Sequence, residues 1–128
     1  MENGKWKMQN KKDLKERTKK FALRIIKMYS SLPKSTEAKV LGTQVLRSGT
    51  SVGANYRSAC RARSPADFIS EMGIVEEEAD ESLYWMELLI DSEIVKPEKL
   101  KSLMGEADEI LAITVASIKT AKKRKKGK

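Results

Sequence analysis

The sequence predicts an all-α protein, and an up-down-up-down four-helix bundle is the architecture that fits it best. Apolar residues recur every three to four positions in four separate stretches, as expected for amphipathic helices. Short connectors separate the stretches, and no segment of useful length alternates as a strand would. The chain has 128 residues, of which 40% are hydrophobic, so one domain with one core is expected.

The first helix is predicted from about Asp13, its N-cap, to Ser31. Its apolar stripe consists of Leu14, Phe21, Ile25, Met28 and Leu32. Pro33 ends this helix, and Ser35 or Thr36 can cap the second, which is expected to reach about Ala62. The stripe of the second helix consists of Leu41, Val45, Ser48 and Val52.

The second helix contains three glycines on one line, Gly42, Gly49 and Gly53. Each costs roughly 1 kcal/mol relative to alanine in a helix interior, so their presence needs a reason. We expect a neighbouring helix to pack closely against this line. The alternative is a kink or break between Ser48 and Gly53.

The third helix has the clearest start, with Ser64 as N-cap and Pro65 at the first helical position. It should reach about Ile94 on the stripe Phe68, Met72, Val75, Ala79, Leu83, Met86 and Ile90. Pro97 opens the fourth helix, whose stripe is Leu100, Leu103, Ala107, Leu111, Thr114 and Ile118. The basic block that follows is typical of a disordered tail.

The charge is unevenly distributed and suggests three parts: a flexible basic N-terminus (1–11), the bundle domain (12–118) and a basic C-terminal tail (119–128). Residues 1–20 carry +5 and residues 119–128 carry +7, whereas residues 21–118 carry −4. The segment 64–95 contains ten acidic residues and no lysine or arginine. The net charge of +8 therefore resides in the two ends.

Several large apolar side chains do not fit the core stripes of the first and third helices. A second apolar strip favours burial against other subunits, although a wider core would also explain it. We therefore expect a homo-oligomer whose interface includes Leu23, Ile26, Ile74, Tyr84, Trp85 and Leu88.

The body of the chain resembles the 23S ribosomal RNA intervening-sequence protein family. The resemblance lies in Val45–Tyr56 (VLRSGTSVGANY), in Arg61–Ser64 with Asp67-Phe68-Ile69, in Glu77–Ala79 and in Glu81–Leu89 (ESLYWMELL). It spans roughly residues 12–118 and consists of packing residues rather than a catalytic signature.

This resemblance implies a four-helix bundle that assembles into a ring, with a pentamer as the expected form, in a bacterial protein of poorly defined role. Accessory proteins of diversity-generating retroelements share the architecture and bind nucleic acid through a basic surface. The body of this chain is net acidic instead. The family supplies no catalytic residues.

The residue inventory does not predict an enzyme. The chain has no histidine, the commonest general base and a frequent metal ligand. The carboxylates Glu71, Glu76, Glu77, Glu78, Asp80 and Glu81 could bind magnesium, but a solvated face paired with arginines explains them better. Cys60 is the only cysteine, which favours a reducing compartment such as the cytoplasm. Nearby arginines could lower the pKa of its thiol and so activate it, although an inert thiol is the simpler interpretation. No cofactor, metal, small-molecule substrate or membrane span is predicted.

Two groups of cations are candidates for nucleic-acid contact. The stronger is the basic tail, Lys119, Lys122, Lys123, Arg124, Lys125 and Lys126, with Lys128 and Trp6 as further contacts; a solubilising tail is nearly as good an explanation. The weaker is a face of the second helix bearing Arg47, Arg57 and Arg61, for which salt bridges to the acidic third helix are the favoured interpretation. The sequence thus predicts a non-enzymatic oligomer that binds RNA or DNA through its basic termini. The alternative is a protein-interaction scaffold without a nucleic-acid role.

Overall fold

Four helices in series form the bundle in the computed structural model, which describes the backbone of residues 2–127 and the side chains of residues 13–127. The helices are α1 (Glu2–Ser30), α2 (Thr36–Cys60), α3 (Pro65–Asp91) and α4 (Pro97–Lys126). This description does not include Lys128 or the side chains of the predicted N-terminal segment 1–11, among them that of Trp6. The predicted all-α class is confirmed, since the described residues contain helices, turns and bends but no strand.

The helices follow one another around the bundle. Contacts are most extensive between α2 and α3, followed by α3 with α4 and α1 with α2, and are sparse between α1 and α4. In the described part of the chain α1 and α3 do not contact each other, so these two helices lie on opposite corners. Short connectors make each helix antiparallel to the next, as predicted.

Most residues of the predicted apolar stripes are buried in the core, and the others pack against it while partly exposed: Met28, Leu32, Leu41, Phe68, Leu83, Ile90 and Leu111. Phe21, Ile25, Val45, Met72 and Met86 are essentially inaccessible to solvent. The core also includes buried residues absent from the stripes: Thr18, Ala38, Tyr56, Ala59, Ser82, Leu89 and Ile110. At its centre Ser82 donates a hydrogen bond to the Ser48 hydroxyl over 2.9 Å, which satisfies two polar groups between α2 and α3.

The glycine line of α2 allows α1 to approach closely, as predicted, and α2 continues unbroken through it. A Cβ on Gly49 would lie 2.8 Å from Cγ1 of Ile25, and one on Gly42 would lie 2.6 Å from Cδ1 of Leu32. A Cβ on Gly53 would lie 3.1 Å from Oγ1 of Thr18. The alternative of a break between Ser48 and Gly53 is therefore wrong.

The helix caps agree with the sequence in the middle of the chain and differ at its ends. Ser35 and Ser64 cap α2 and α3 by accepting hydrogen bonds from the amides of Ala38 and Asp67. Helix α1 begins at Glu2, so the prediction that Asp13 is its N-cap is wrong. Within residues 2–127, no helix is both long and apolar enough to cross a bilayer.

The basic C-terminal block is helical to Lys126, which corrects the expectation that it would be disordered. The block follows directly from the packed part of α4, so its helix needs no new nucleus. Positive side chains are also favourable at a helix C-terminus, where the macrodipole is negative. These two effects outweigh the mutual repulsion of the lysines.

Candidate nucleic-acid interface

Arg47, the first of the three candidate arginines on α2, is part of the structural framework. Its guanidinium forms ion pairs with Glu78, at 3.1 Å, and with Glu81, both on α3. The salt-bridge interpretation is therefore right for Arg47, and its tentative assignment to a nucleic-acid surface is not supported. Because the Arg47 side chain is 49% exposed, the pairs contribute modestly to stability.

Arg57 and Arg61 behave differently from Arg47. Both are exposed near the end of α2, and neither side chain forms an ion pair with any side chain that the structure describes. They line a groove of about 760 Å³ between α1 and α2. For these two arginines the expected salt bridges to α3 are absent from residues 13–127.

The groove has long basic walls and a floor of small residues. Lys15 and Lys19 of α1 lie on one side, Arg57 and Arg61 on the other, and Arg63 of the α2–α3 turn also lines it. The floor includes Thr18, Ala22, Gly53 and Ala54, whose small side chains leave the space open. Two acidic residues of α3, Asp67 and Glu71, also line the groove, so its described lining contains five cations and two carboxylates.

Sequence analysis missed the α1 half of this groove. Lys15 and Lys19 are spaced i and i+4 on one face of α1, and Arg57 and Arg61 have the same spacing at the end of α2, where Arg61 is the C-cap residue. That spacing was visible in the sequence. The glycine line was visible too, but the offset that brings Gly53 against Thr18, and hence the two pairs together, is a property of the packed bundle.

The basic end of α4 forms a second cationic surface. The exposed side chains of this end are Lys119, Lys122, Lys123, Arg124, Lys125 and Lys126. No described side chain forms an ion pair with any of them. In an up-down-up-down bundle the end of α4 lies at the same end as the start of α1 and the end of α2. The α4 cations and the groove therefore share one end of the molecule, which we call the basic pole.

The predicted interface residues divide into two groups. Leu23, Ile26, Ile74 and Tyr84 are exposed, between 42% and 56%, as a binding surface requires. Trp85 and Leu88 are half-buried, and Trp85 packs against the core, so for Trp85 the wider-core alternative applies in part. Val40, which the sequence analysis did not select, is also exposed.

The remaining candidate chemistry finds no site in the described part of the chain. The carboxylates of α3 do not gather there into a group of three or more potential metal ligands. Tyr56, close to Cys60, is buried, and that burial, together with a hydrogen bond to the Cys60 thiol, raises the pKa of Tyr56. Cys60 is half-buried beside this phenol.

One ion-pair cluster links α1 to α4. The Arg17 guanidinium donates to both carboxylate oxygens of Glu106, at 3.0 and 2.7 Å, and to Glu109 at 3.1 Å. These hydrogen bonds, led by the one to Glu106, raise the pKa of Arg17 above its usual range. Because contacts between α1 and α4 are otherwise sparse, this cluster is the main polar connection between the two helices.

Comparisons with known proteins agree on one relationship. The family model described as "23S rRNA-intervening sequence protein" matches residues 10–116. A crystal structure of a protein of unknown function from the S23 ribosomal protein family of Bacteroides thetaiotaomicron is 40% identical, with a TM-score of 0.78, and the match covers 83% of this chain and 98% of that one. No curated protein matches.

Proposed function

This chain belongs to the 23S rRNA-intervening sequence protein family, and we propose that it is a non-enzymatic, homo-oligomeric, cytoplasmic protein that binds RNA or DNA through the basic end of α4. The observation that carries the proposal is the run of exposed cations from Lys119 to Lys126 on one continuous helix, without ion-pair partners among the described side chains.

Charge of this kind suits a phosphate backbone. Lysine and arginine side chains that neutralise phosphates release condensed counterions, so binding is strong at low salt and independent of sequence. The helical conformation adds to this, because the cations are already arranged on a rod when a ligand arrives. A solubilising tail has no need of such an arrangement.

Self-association is the second part of the proposal. Four of the five exposed large apolar residues lie on α1 (Leu23 and Ile26) and on α3 (Ile74 and Tyr84), which occupy opposite corners of the bundle; the fifth, Val40, stands apart on α2. Two different surfaces that pair head to tail generate a ring when the rotation closes, whereas a twofold dimer uses one surface twice. The resemblance stated above implies a pentamer. A ring would present several basic poles to one nucleic acid, which raises avidity when they engage together.

A charge-matched pair of full-length variants tests the nucleic-acid contact. In the first variant, Lys122, Lys123, Arg124, Lys125 and Lys126 become Gln. In the control, five exposed lysines near the opposite end of the bundle become Gln: Lys34, Lys39, Lys96, Lys99 and Lys101. Both variants lose the same charge. Binding to single-stranded RNA and DNA is measured by fluorescence anisotropy at several salt concentrations, and assembly mass by light scattering.

We expect the first variant to bind more weakly and to lose about 3.5 from the slope of log K against log salt, at about 0.7 per phosphate contact on a single strand. The control should retain a slope close to that of the parent. Equal losses in both variants would mean that net charge alone governs binding, and the α4 proposal would fail. If the parent chain does not bind at all, the protein-interaction scaffold becomes the better explanation.

A further inference from the structure

The groove between α1 and α2 has a charge arrangement that the fold itself does not require. Lys15 and Lys19 form a like-charge pair at i and i+4, and so do Arg57 and Arg61. Like charges at this spacing repel each other, on α1 and at the end of α2, where Arg61 is the C-cap residue. Arg47, about one turn before the first α2 residue of the groove, Thr50, is paired with two glutamates, whereas Arg57 and Arg61 form no ion pair with any described side chain.

We propose that this groove is a binding site for the backbone of a single nucleic-acid strand, with the phosphates lying between the two cationic rows. The inference rests on the proposed function for the class of ligand, but it assigns a separate site on different helices.

The dimensions of the groove fit a chain of phosphates. Residues four apart on a helix are separated by about 6 Å along its axis, comparable to the spacing of successive phosphates in an extended strand. The space between the two rows of cations stays open because Thr18 packs on Gly53, which has no side chain. The neighbouring lining positions, Ala22 and Ala54, are alanines. A volume of about 760 Å³ accommodates a few phosphate groups with their sugars.

The composition of the groove decides what is recognised. Arginine forms planar, bidentate hydrogen bonds to phosphate oxygens, and both cations on the α2 side of the groove, Arg57 and Arg61, are arginines. No aromatic ring among the side chains of residues 13–127 lines the groove, so bases gain no stacking surface from that part of the chain. Backbone contact without base readout is therefore expected, and a flexible single strand can follow the groove more closely than a rigid duplex.

The carboxylates at the margin of the groove limit its charge without cancelling it. One carboxylate oxygen of Asp67 is already hydrogen-bonded within the α2–α3 turn, since Oδ2 accepts a hydrogen bond from the backbone amide of Arg63 at 3.3 Å. One oxygen of Glu71 is buried with no hydrogen-bond partner among the described residues. Among the described lining residues, five cations against two carboxylates leave a net charge of +3 for the incoming strand.

The test compares two full-length double variants with equal loss of charge. Arg57→Gln with Arg61→Gln removes one wall of the groove, and Lys34→Gln with Lys39→Gln removes two exposed cations near the other end of the bundle. The probes are a 20-nucleotide oligo(dT) and a duplex of the same length, at salt concentrations from 50 to 200 mM. Thermal melting of both variants checks the fold.

We expect the groove variant to lose about 1.4 from the salt slope on oligo(dT), so that the affinity of the parent falls about sevenfold more than that of the variant over this salt range. Melting should change little, because relief of the like-charge repulsion is offset by loss of the favourable interaction of Arg57 and Arg61 with the negative C-terminal end of α2. The control should match the parent. A groove variant that binds oligo(dT) like the control, or that is weakened only on the duplex, would overturn the proposal.

The two proposals fail separately. If substitution of the α4 cations abolishes binding while the groove variant keeps the slope of the parent, the groove is not a site and the α4 contact stands. If the groove variant loses slope while the α4 variant does not, the groove is supported and the α4 contact is wrong. Absence of binding by the parent would overturn both.

Discussion

Gly49 and Gly105 form a natural pair for measuring how tightly α1 packs on α2. Both lie inside helices, so replacing either by alanine gains roughly the same helix propensity, about 1 kcal/mol. At Gly105 an added Cβ meets nothing within 4 Å, whereas at Gly49 it would lie 2.8 Å from Cγ1 of Ile25 and 3.0 Å from Cγ2. Ile25 is completely buried and β-branched, so its side chain has little freedom to move away.

The magnitude follows from this geometry. Gly105→Ala should stabilise the protein by about 0.5–1 kcal/mol. Gly49→Ala gains the same propensity but incurs an overpacking cost of about 1–3 kcal/mol, so it should be neutral to destabilising by about 2 kcal/mol. The difference between the two variants isolates the packing cost. At an unfolding entropy of about 2.1 cal/mol/K per residue over this chain, the difference corresponds to about 4–11 °C in Tm.

The assay is thermal unfolding followed by circular dichroism at one fixed protein concentration, because assembly makes Tm depend on concentration. Chemical unfolding gives the free-energy difference independently. If the two variants melt together above the parent, an alanine fits at Gly49 as easily as at an open position. The close approach of α1 at the glycine line would then be wrong, and with it our account of why α2 carries these residues.

Two further predictions concern assembly and the α1–α4 connection. Ile74→Glu should lower the assembly mass, with helicity retained, because it places a charge on an exposed apolar face. Val40→Glu, at a more exposed position on α2, should leave the mass unchanged, and light scattering measures both variants. An unchanged mass for Ile74→Glu would remove α3 from the interface. Arg17→Gln should lower the free energy of unfolding in urea by about 1–2 kcal/mol, because the bidentate hydrogen bonds to Glu106 are only partly exposed. The control is Arg24→Gln, whose single described side-chain hydrogen bond is to exposed Ser102, and it should change stability by less than about 0.5 kcal/mol. Equal effects would contradict the role given to the Arg17 cluster.

The fold was accessible from the sequence because its signals are local. Ser64 followed by Pro65 fixes the start of α3, and the apolar stripes fix which face of each helix is buried. The glycine line of α2 was also interpretable, since only close packing compensates for three glycines in a helix interior. Each of these features depends on residues within a few turns of one another.

The candidate site was less accessible because it depends on how helices are offset. Arg47 and Arg57 lie on the same broad face of α2 by sequence, yet Arg47 meets Glu78 and Glu81 while Arg57 borders a groove with Lys15. The relative height of α1, α2 and α3 decides which arginine meets a carboxylate, and no single helix contains that information. The C-terminal block was assigned wrongly for a similar reason: charge composition alone argued for disorder, whereas continuity with the packed helix extends α4 to Lys126.

The net charge of the bundle is a poor guide to whether it can bind phosphate. Residues 21–118 sum to −4, which argues against a phosphate site on this part of the chain. The antiparallel topology, however, separates the charges in space: Arg57, Arg61 and Arg63 lie at the end shared with Lys15 and the end of α4, while most acidic residues of α3 follow Glu71 toward the other end. Salt screens charges beyond about 10 Å at 0.1 M, so a phosphate in the groove responds to the cations beside it far more than to distant glutamates. The electrostatics of this bundle are therefore local, and a basic pole is compatible with an acidic body.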